Sequence, residues 1–314
     1  MAKIIRNDKG TTNVPKISEC VEAFILSRRT QNCTFQTIRF YQKKLPQIVA
    51  WLEAENITRF EEISPTDIRI YLDQLRESGH NKGGTHIFYR VLKAYLRWVW
   101  DEYDLTIRNP IDKIRCETPR SEPIPGITIE EVNQMIEVCR LNKFPERDRA
   151  MIAILTDTGI RRSELMNLTI SDVDCKSGRI VVRHGKGDKF HVVFCGKEAR
   201  KYLRQYLSCL ADTRPNDPLW LTFSGDPLST DGALSVLRRT MKNANLGREY
   251  SFHAFRRCFA IECVRNGDDL GSVSRKLNHS SLEVTKRYLA FTEDDDRAFA
   301  LRASPMDNRR KRQI

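Results

Sequence analysis

A proline-bearing segment near the middle of the chain separates two regions with different patterns. From Ile111 to Gly126 the sequence carries Pro119, Pro123 and Pro125 among charged neighbours, with little apolar periodicity. Proline lacks a backbone donor and keeps the preceding residue extended, so this stretch is expected to be a linker. A chain of 314 residues is long enough for a core on either side. We predict a flexible leader at 1–15, a helical domain at 16–114, a linker at 115–126, a second domain at 127–300 and a tail at 301–314.

The first domain contains four stretches in which apolar residues recur at helical spacing. Ser64 is the expected N-cap of the third stretch, with Pro65 as its first helical residue. Pro46 lies inside the second stretch and is expected to kink or divide it. The pattern predicts helices at 17–27, 35–55, 64–77 and 85–103.

The fourth stretch has two contrasting faces. The apolar face is expected to pack into the first domain and consists of Phe88, Val91, Leu92, Tyr95, Leu96 and Val99. At about 100° per residue, the opposite face carries a narrow line of candidate DNA-binding residues: His86, Arg90, Lys93 and Arg97. Such a line suits a phosphate backbone. A solvated charged face is the structural alternative, and periodicity alone favours that alternative.

The second domain mixes helical and strand patterns. It opens with a capping box at Thr128, and a later helix at 147–158 ends at Gly159. β-Branched and aromatic runs at 179–183 and 190–194 predict a hairpin with Lys186 near its tip. Helical patterns then return. The predicted fold class is mainly α with a small β-sheet.

The charge balance indicates a polyanionic partner. The chain has 53 Lys and Arg against 41 Asp and Glu, a formal net charge of +12. Clustered basic side chains gain affinity for nucleic acid by releasing phosphate counterions. The alternative is that the excess of positive charge only aids solubility. Charge alone does not decide between this explanation and a nucleic-acid partner.

Neither a membrane span nor a metal site is predicted. No window reaches the roughly 18 uninterrupted apolar residues of a spanning helix, and the polar opening lacks the apolar core of a signal peptide. The nine cysteines include no C-x-x-C pair, so neither zinc nor a disulfide framework is indicated. We expect a cytoplasmic protein that needs no cofactor.

Four segments of the second domain concentrate side chains that can act on a phosphodiester. They are TGIRRSEL at 158–165, GKGDK at 185–189, HAFRR at 253–257, and LNHSS at 277–281 followed by Tyr288. A lone arginine at a helix start or a lone tyrosine is structural in most proteins. The order and spacing of the four segments argue against a structural explanation of the whole set.

Together these segments resemble the tyrosine recombinase (phage integrase) pattern of T-G-L-R, a G-K-G hairpin, H-x-L-R-H and L-G-H before a tyrosine. The resemblance extends from the first helix to the end of the chain and is to Xer-like members without an additional arm-binding domain. It implies a SAM-like helical core-binding domain and a mixed α/β catalytic domain. It also implies an active site, with Glu164 supporting the first arginine, made of Arg161, Lys186, His253, Arg256, His279 and Tyr288.

Physical chemistry supplies a role for each of these residue types. Two arginines can neutralise the non-bridging oxygens of a phosphate with bidentate, permanently charged donors. A tyrosine oxygen forms a phosphotyrosine that stores the bond energy for religation. The leaving 5′ oxygen needs a proton, which Lys186 is expected to give, with Lys189 in the same loop as its competitor. His253 is expected to help deprotonate Tyr288, and His279 to donate to a phosphate oxygen.

Two positions depart from the family pattern. Asn278 stands where the family generally has glycine, and asparagine tolerates a left-handed backbone conformation. Arg257 stands where the second box often ends in histidine, and it is a further candidate for DNA contact beside Lys189. Structural alternatives also remain: His279 as a helix cap, Arg162 or Arg257 as the working arginine of its pair, and Tyr250 or Tyr202 as core aromatics.

The resemblance implies a site-specific recombinase that acts as a homotetramer on double-stranded DNA, through a 3′-phosphotyrosine and a Holliday junction. Integration, excision and resolution all remain open. A type IB topoisomerase and a non-catalytic DNA-binding regulator are the alternatives. The segment after Tyr288, with Phe299, Leu301 and Met306, is expected to dock onto a neighbouring protomer.

Overall fold

The chain forms two compact units, Met1–Ser121 and Glu122–Ile314. The structure, a computed structural model, describes residues 15–118, 126–183, 190–279, 281–286, 288 and 293–303. The division between the units falls within the segment 115–126. Each unit has its own apolar core. In the described ranges, every helix is too short or too polar to cross a lipid bilayer.

The first unit is built from four helices: α1 (Cys20–Thr30), α2 (Phe35–Ala54), α3 (Pro65–Glu77) and α4 (Lys82–Glu102). Two short 3₁₀ turns, Phe60–Glu62 and Pro110–Lys113, complete it. The first helix starts three residues later than predicted. Pro46 does not divide α2, because burial of Leu45, Ile48 and Val49 on either side of it holds the helix together despite the lost hydrogen bond.

Helix α4 is the central element of this unit. It begins three residues earlier than predicted, because Asn81 Oδ1 accepts from Gly84 N at 2.8 Å and caps the first turn. The predicted apolar face is confirmed, with all six of its residues buried. Tyr95 contacts the ring of Phe24 edge-on and donates its hydroxyl to Ile17 O at 2.6 Å, which ties the start of the domain to α4.

The second unit contains nine helices and a three-stranded sheet among its described residues. The helices are α5 (Ile129–Val138), α6 (Pro145–Thr158), α7 (Arg162–Met166), α8 (Lys197–Leu207), α9 (Thr230–Asn243), α10 (Phe252–Arg265), α11 (Leu270–Lys276), α12 (Leu282–Lys286) and α13 (Glu293–Ala303). Short 3₁₀ turns lie at Cys139–Leu141 and Ile170–Asp172. The predicted capping box at Thr128 is confirmed, since Thr128 N donates to Glu131 Oε2 and Glu131 N to Thr128 Oγ1.

The sheet is antiparallel in the order β1 (Val173–Asp174), β2 (Arg179–Val182) and β3 (His191–Phe194). Val181 pairs with Val192, and Val182 with His191. Both predicted strands are confirmed to within a residue. Strand β1 was missed because two residues carry no readable alternation. The predicted hairpin tip, including Lys186 and Lys189, lies outside the described residues.

Helix α6 runs through the core of this unit, and Ala150 to Leu155 are all buried. The helix ends at Gly159, as predicted, where φ is +58°. A Cβ added there would lie 2.7 Å from the ring of Phe259, so both backbone conformation and space require glycine. The sharp stop places Arg161 immediately beyond a buried helix and at the start of α7.

Candidate active site

Arg161 is held at the N-terminus of α7 by Glu164. The Arg161 side chain donates Nη1 to Glu164 Oε1 at 2.8 Å, and its backbone N donates to Glu164 Oε2 at 3.0 Å. Glu164 is only 2% exposed. The second end of the guanidinium, Nη2, donates to Asn278 O at 3.0 Å. The structure thus brings Glu164 to the predicted first arginine and fixes the direction of that arginine.

Arg256 is the fifth residue of α10 and is buried, with 3% exposure. Its Nη1 donates to Gly159 O at 2.5 Å, and its Nη2 donates to Leu277 O. Nε is buried with no hydrogen-bond partner among the described residues. Burial, reinforced by the charge of Arg161, lowers the pKa of Arg256 to about 10, so the group remains a cation at neutral pH.

Tyr288 lies just after α12, within reach of three of the predicted residues. Its hydrogen bond with the Arg256 side chain raises the pKa of Arg256 and so offsets part of the lowering. The His279 ring is 5.1 Å from the Tyr288 ring, centroid to centroid, at 66°. Arg257 Cζ lies 5.9 Å from the centroid of the same ring. Tyr288 is therefore surrounded by cationic and imidazole groups.

His279 has one ring nitrogen engaged and one available. Nδ1 lies 2.7 Å from Oγ1 of the buried Thr285, on α12, and Nε2 is buried with no partner among the described residues. Burial, followed by the charges of Arg256 and Arg161, lowers the pKa of His279 to about 4. His279 is therefore neutral at physiological pH and can act as a hydrogen-bond donor rather than as a cation.

We expect His279 to make the free protein less stable as the pH falls from about 6.5 to about 4. The unfolded chain takes up a proton on this histidine near its ordinary pKa of about 6.5, whereas the folded chain does so only near 4. Urea unfolding without DNA at a series of pH values measures the effect. In His279→Gln, the loss of stability across this window should be smaller, and an unchanged loss would contradict the assignment.

His253 lies on the rim of a cleft of about 410 Å³ that Arg161, Arg162 and Arg256 also line. The residue as a whole is exposed, but partial desolvation of its ring, followed by the charges of Arg256 and Arg257, lowers its pKa. A neutral imidazole beside the arginines can accept a proton. The structure gives no contact between His253 and Tyr288.

The competing residues have other contacts. Arg162 Cζ lies 5.9 Å from the centroid of the Phe252 ring. The Tyr250 hydroxyl donates to Glu131, and burial together with that carboxylate raises the pKa of Tyr250 to about 12. Tyr202 packs against the core of the second unit. These contacts favour Arg161 and Tyr288 over their competitors.

Sequence reasoning missed His191 and the side-chain contact that Asn278 makes with it. The amide Nδ2 of Asn278 donates to His191 Nδ1 at 3.2 Å, and His191 Nε2 lies 3.9 Å from Glu164 Oε2. His191 is the first residue of β3 and belongs to the face that carries Val193 towards the core. The signal that could have revealed His191 is a polar residue on the inward face of a predicted strand, next to the loop that carries Lys186.

The basic line on α4 lies along a groove of about 570 Å³ in the first unit. Arg90 and Arg97 are exposed, and His86 and Lys93 are half-buried. Arg97 Nη2 lies 3.5 Å from Asp112 Oδ1, and Lys93 Nζ lies 3.4 Å from the Tyr89 hydroxyl. All four predicted residues therefore line one surface.

Two family models match this chain, one in each unit. The model described as "Phage integrase family" matches residues 126–294, and "Phage integrase, N-terminal SAM-like domain" matches residues 28–102. Among curated proteins, tyrosine recombinase XerC of Oceanobacillus iheyensis is 29% identical over 290 residues, 90% of this chain and 94% of that protein. XerC of Lactobacillus delbrueckii subsp. bulgaricus is 30% identical over 262 residues, 81% of this chain and 87% of that protein.

Solved structures show the same fold. A lambda integrase tetramer bound to a Holliday junction aligns with a TM-score of 0.74 at 16% identity, over 88% of this chain and 78% of that one. The Tn1549 transposon integrase bound to transposon right end DNA aligns with a TM-score of 0.69 at 19% identity, over 90% and 98%. With the family models covering both units, the chain belongs to the phage integrase family and is a tyrosine recombinase.

Proposed function

We propose that this enzyme cleaves and rejoins DNA at specific sites with Tyr288 as its nucleophile. The observation that carries the proposal is the cluster that brings Arg161, Arg256, His279 and Tyr288 together from three separate segments of the second unit. The cluster combines two phosphate-binding cations, a neutral donor and a nucleophile. That combination suits transfer of a phosphoryl group and has no evident use in a protein that only binds DNA.

The proposed cleavage step is a displacement at phosphorus. The Tyr288 oxygen forms a bond to phosphorus as the bond from phosphorus to the 5′ oxygen breaks, which leaves a 3′-phosphotyrosine and a free 5′ hydroxyl. Arg161 and Arg256 neutralise the non-bridging oxygens. His253 accepts the Tyr288 proton. We assign the ring proton of His279 to Nε2, which has no partner among the described residues, so that Nδ1 accepts from the Thr285 hydroxyl and Nε2 donates to the phosphate.

The test of this function uses nicked duplexes with a randomised sequence. A nick beside the cleavage point lets the cut fragment diffuse away, so the phosphotyrosine accumulates. We expect the full chain to retain a subset of duplexes through denaturation in SDS, with Tyr288 in the modified peptide. Recovery of no covalent complex would contradict the proposal. Rapid relaxation of supercoiled DNA that lacks the selected site would instead indicate a topoisomerase.

Lys186 is the proposed general acid for the leaving 5′ oxygen. Lys186→Ala should slow cleavage of an ordinary phosphodiester by about 100-fold. A substrate with sulfur at the 5′ bridging position releases a thiolate that needs no proton, so it should be cleaved by this variant at nearly the unaltered rate. Lys189→Ala, whose expected role is to bind DNA, should show the same defect on both substrates. If the sulfur substrate restored cleavage by Lys189→Ala and not by Lys186→Ala, Lys189 would be the general acid.

The groove on α4 is the proposed DNA-binding surface of the first unit. Arg90→Gln should lower DNA affinity and reduce the slope of log affinity against log salt by about 0.9, since one phosphate contact is lost. Binding titrations at several salt concentrations measure this. The matched control is Arg69→Gln, an exposed arginine on α3 outside the groove. Equal slopes for both variants would reject the surface.

We further propose that four protomers assemble on two DNA sites, in the cytoplasm, with the segment after Tyr288 contacting a neighbour. The described part of that segment, α13, contacts its own chain: Asp295 pairs with Arg265 at 2.7 Å, and Arg302 donates to Arg265 O at 2.9 Å. Assembly through this segment would exchange those contacts for equivalent ones on a neighbour.

A further inference from the structure

Four residues of the second unit form a closed circuit beside the nucleophile. Arg161 donates to Glu164 Oε1 at 2.8 Å and to Asn278 O at 3.0 Å. The Asn278 amide donates to His191 Nδ1 at 3.2 Å, and His191 Nε2 lies 3.9 Å from Glu164 Oε2. The circuit joins the start of α7, the start of β3 and the turn between α11 and α12. Three of its links are hydrogen bonds, and the fourth is the 3.9 Å approach of His191 to Glu164.

The side chain of Asn278 is not explained by the backbone conformation alone. Its φ is +48°, in the left-handed region, where glycine would be less strained. The turn is closed by backbone bonds, from Asn278 N to Arg275 O at 2.9 Å and from His279 N to Ser274 O at 3.0 Å. Glycine could make both. The side-chain amide is therefore an addition, and it donates to His191.

The amide also determines which nitrogen of His191 carries the proton. Because Asn278 Nδ2 donates to Nδ1, Nδ1 is the acceptor and the ring hydrogen is on Nε2. That nitrogen lies 3.9 Å from Glu164 Oε2, within range of the carboxylate charge, while Oε1 of the same carboxylate accepts from Arg161. The side chain of Glu164 is 1% exposed and that of His191 15%, so these interactions are little weakened by water.

We propose that Asn278 and His191 are positioning residues that hold Glu164, and through it Arg161, in the orientation that binds the scissile phosphate. The proposal rests on the function proposed above and adds a second support for Arg161. Asn278 acts on both ends of that arginine, through its carbonyl oxygen on Nη2 and through His191 and Glu164 on Nη1. Neither residue touches the DNA in this role.

The test compares Asn278→Gly with Asn245→Gly. Both asparagines have a left-handed φ, +48° and +50°, but Asn245 follows α9 and has no contact with the circuit. Asn278→Gly should slow single-turnover cleavage on the order of tenfold and leave DNA affinity unchanged. This loss of rate is smaller than the roughly 100-fold loss expected when a catalytic group is misplaced by about 1 Å. His191→Phe should have the same effect, and the double variant should be no slower than either single one. Asn245→Gly should cleave at the unaltered rate.

A methylphosphonate at the cleavage point separates positioning from general loss of structure. This substrate carries no negative charge there, so it depends less on Arg161. The defects of Asn278→Gly, His191→Phe and Arg161→Ala should all shrink on it. Equal defects on both substrates, or an unaltered rate for Asn278→Gly on the phosphodiester, would overturn the proposal. Failure of the proposed function itself would be distinct, since the unaltered enzyme would then form no covalent complex.

Discussion

Replacing Tyr288 with phenylalanine should abolish the covalent protein–DNA complex while leaving DNA affinity intact. The substitution removes only the oxygen that attacks phosphorus. The ring remains to contact His279, so the neighbouring side chains keep their packing. The measurement is the yield of complex that survives SDS on a nicked duplex, beside a binding titration with the same DNA.

Tyr202→Phe is the matched control for this experiment. Tyr202 lies on α8, packed against the core of the second unit and away from Arg161 and Arg256. Its variant should form the complex in normal yield. A residual complex in Tyr288→Phe at a comparable yield would mean that another residue is the nucleophile, and peptide mapping of the adduct would identify it.

Arg256→Gln should reduce the rate of cleavage on the order of 1000-fold, since the variant loses a permanently charged donor to the transition state. It should also lower the free energy of unfolding. The guanidinium satisfies Gly159 O and Leu277 O, and leaving one buried acceptor without a donor costs about 1–3 kcal/mol. Single-turnover cleavage and urea unfolding measure the two effects separately.

Arg161→Gln is the informative comparison. The Arg161 side chain is 21% exposed, donates to one backbone carbonyl and pairs with the buried Glu164 carboxylate, so its loss should slow cleavage comparably and should also destabilise the protein, because a buried charge loses its partner. The charge control is Arg204→Gln on α8, an exposed arginine outside the candidate site, which should cleave normally. A variant of Arg256 that unfolds like the unaltered protein would contradict the structural half of this prediction.

Local patterns predicted much of the fold because their causes are local. The apolar face of α4, the capping box at Thr128 and the stop at Gly159 each depend on residues within a few positions. The end of α2 was predicted to within one residue, but the division at Pro46, one of the two outcomes expected there, does not occur. Whether a helix tolerates an internal proline depends on burial along the whole helix, which the proline alone does not reveal.

The candidate site was predictable only where residue types carry the chemistry. Arginines, histidines and a tyrosine at family spacing indicated Arg161, Arg256 and Tyr288. His191 and Thr285 were missed because their roles arise from contacts between segments distant in sequence. Asn278 was noticed as a departure in backbone conformation, whereas the structure adds a side-chain contact that no rule about φ predicts.

The two carbonyls that hold Arg256 are both at helix C-termini. Gly159 ends α6 and Leu277 ends α11, and a helix C-terminus carries a partial negative charge. These dipoles offset the cost of burying the Arg256 cation, which forms no direct ion pair with a carboxylate among the described residues, whereas Arg161 shares its charge with Glu164. An incoming phosphate thus meets Arg161, whose charge is partly neutralised by a direct ion pair with Glu164, and Arg256, which is held by the carbonyls of two helix C-termini. The attraction to that phosphate should therefore be unequal on its two sides, and strongest at Arg256.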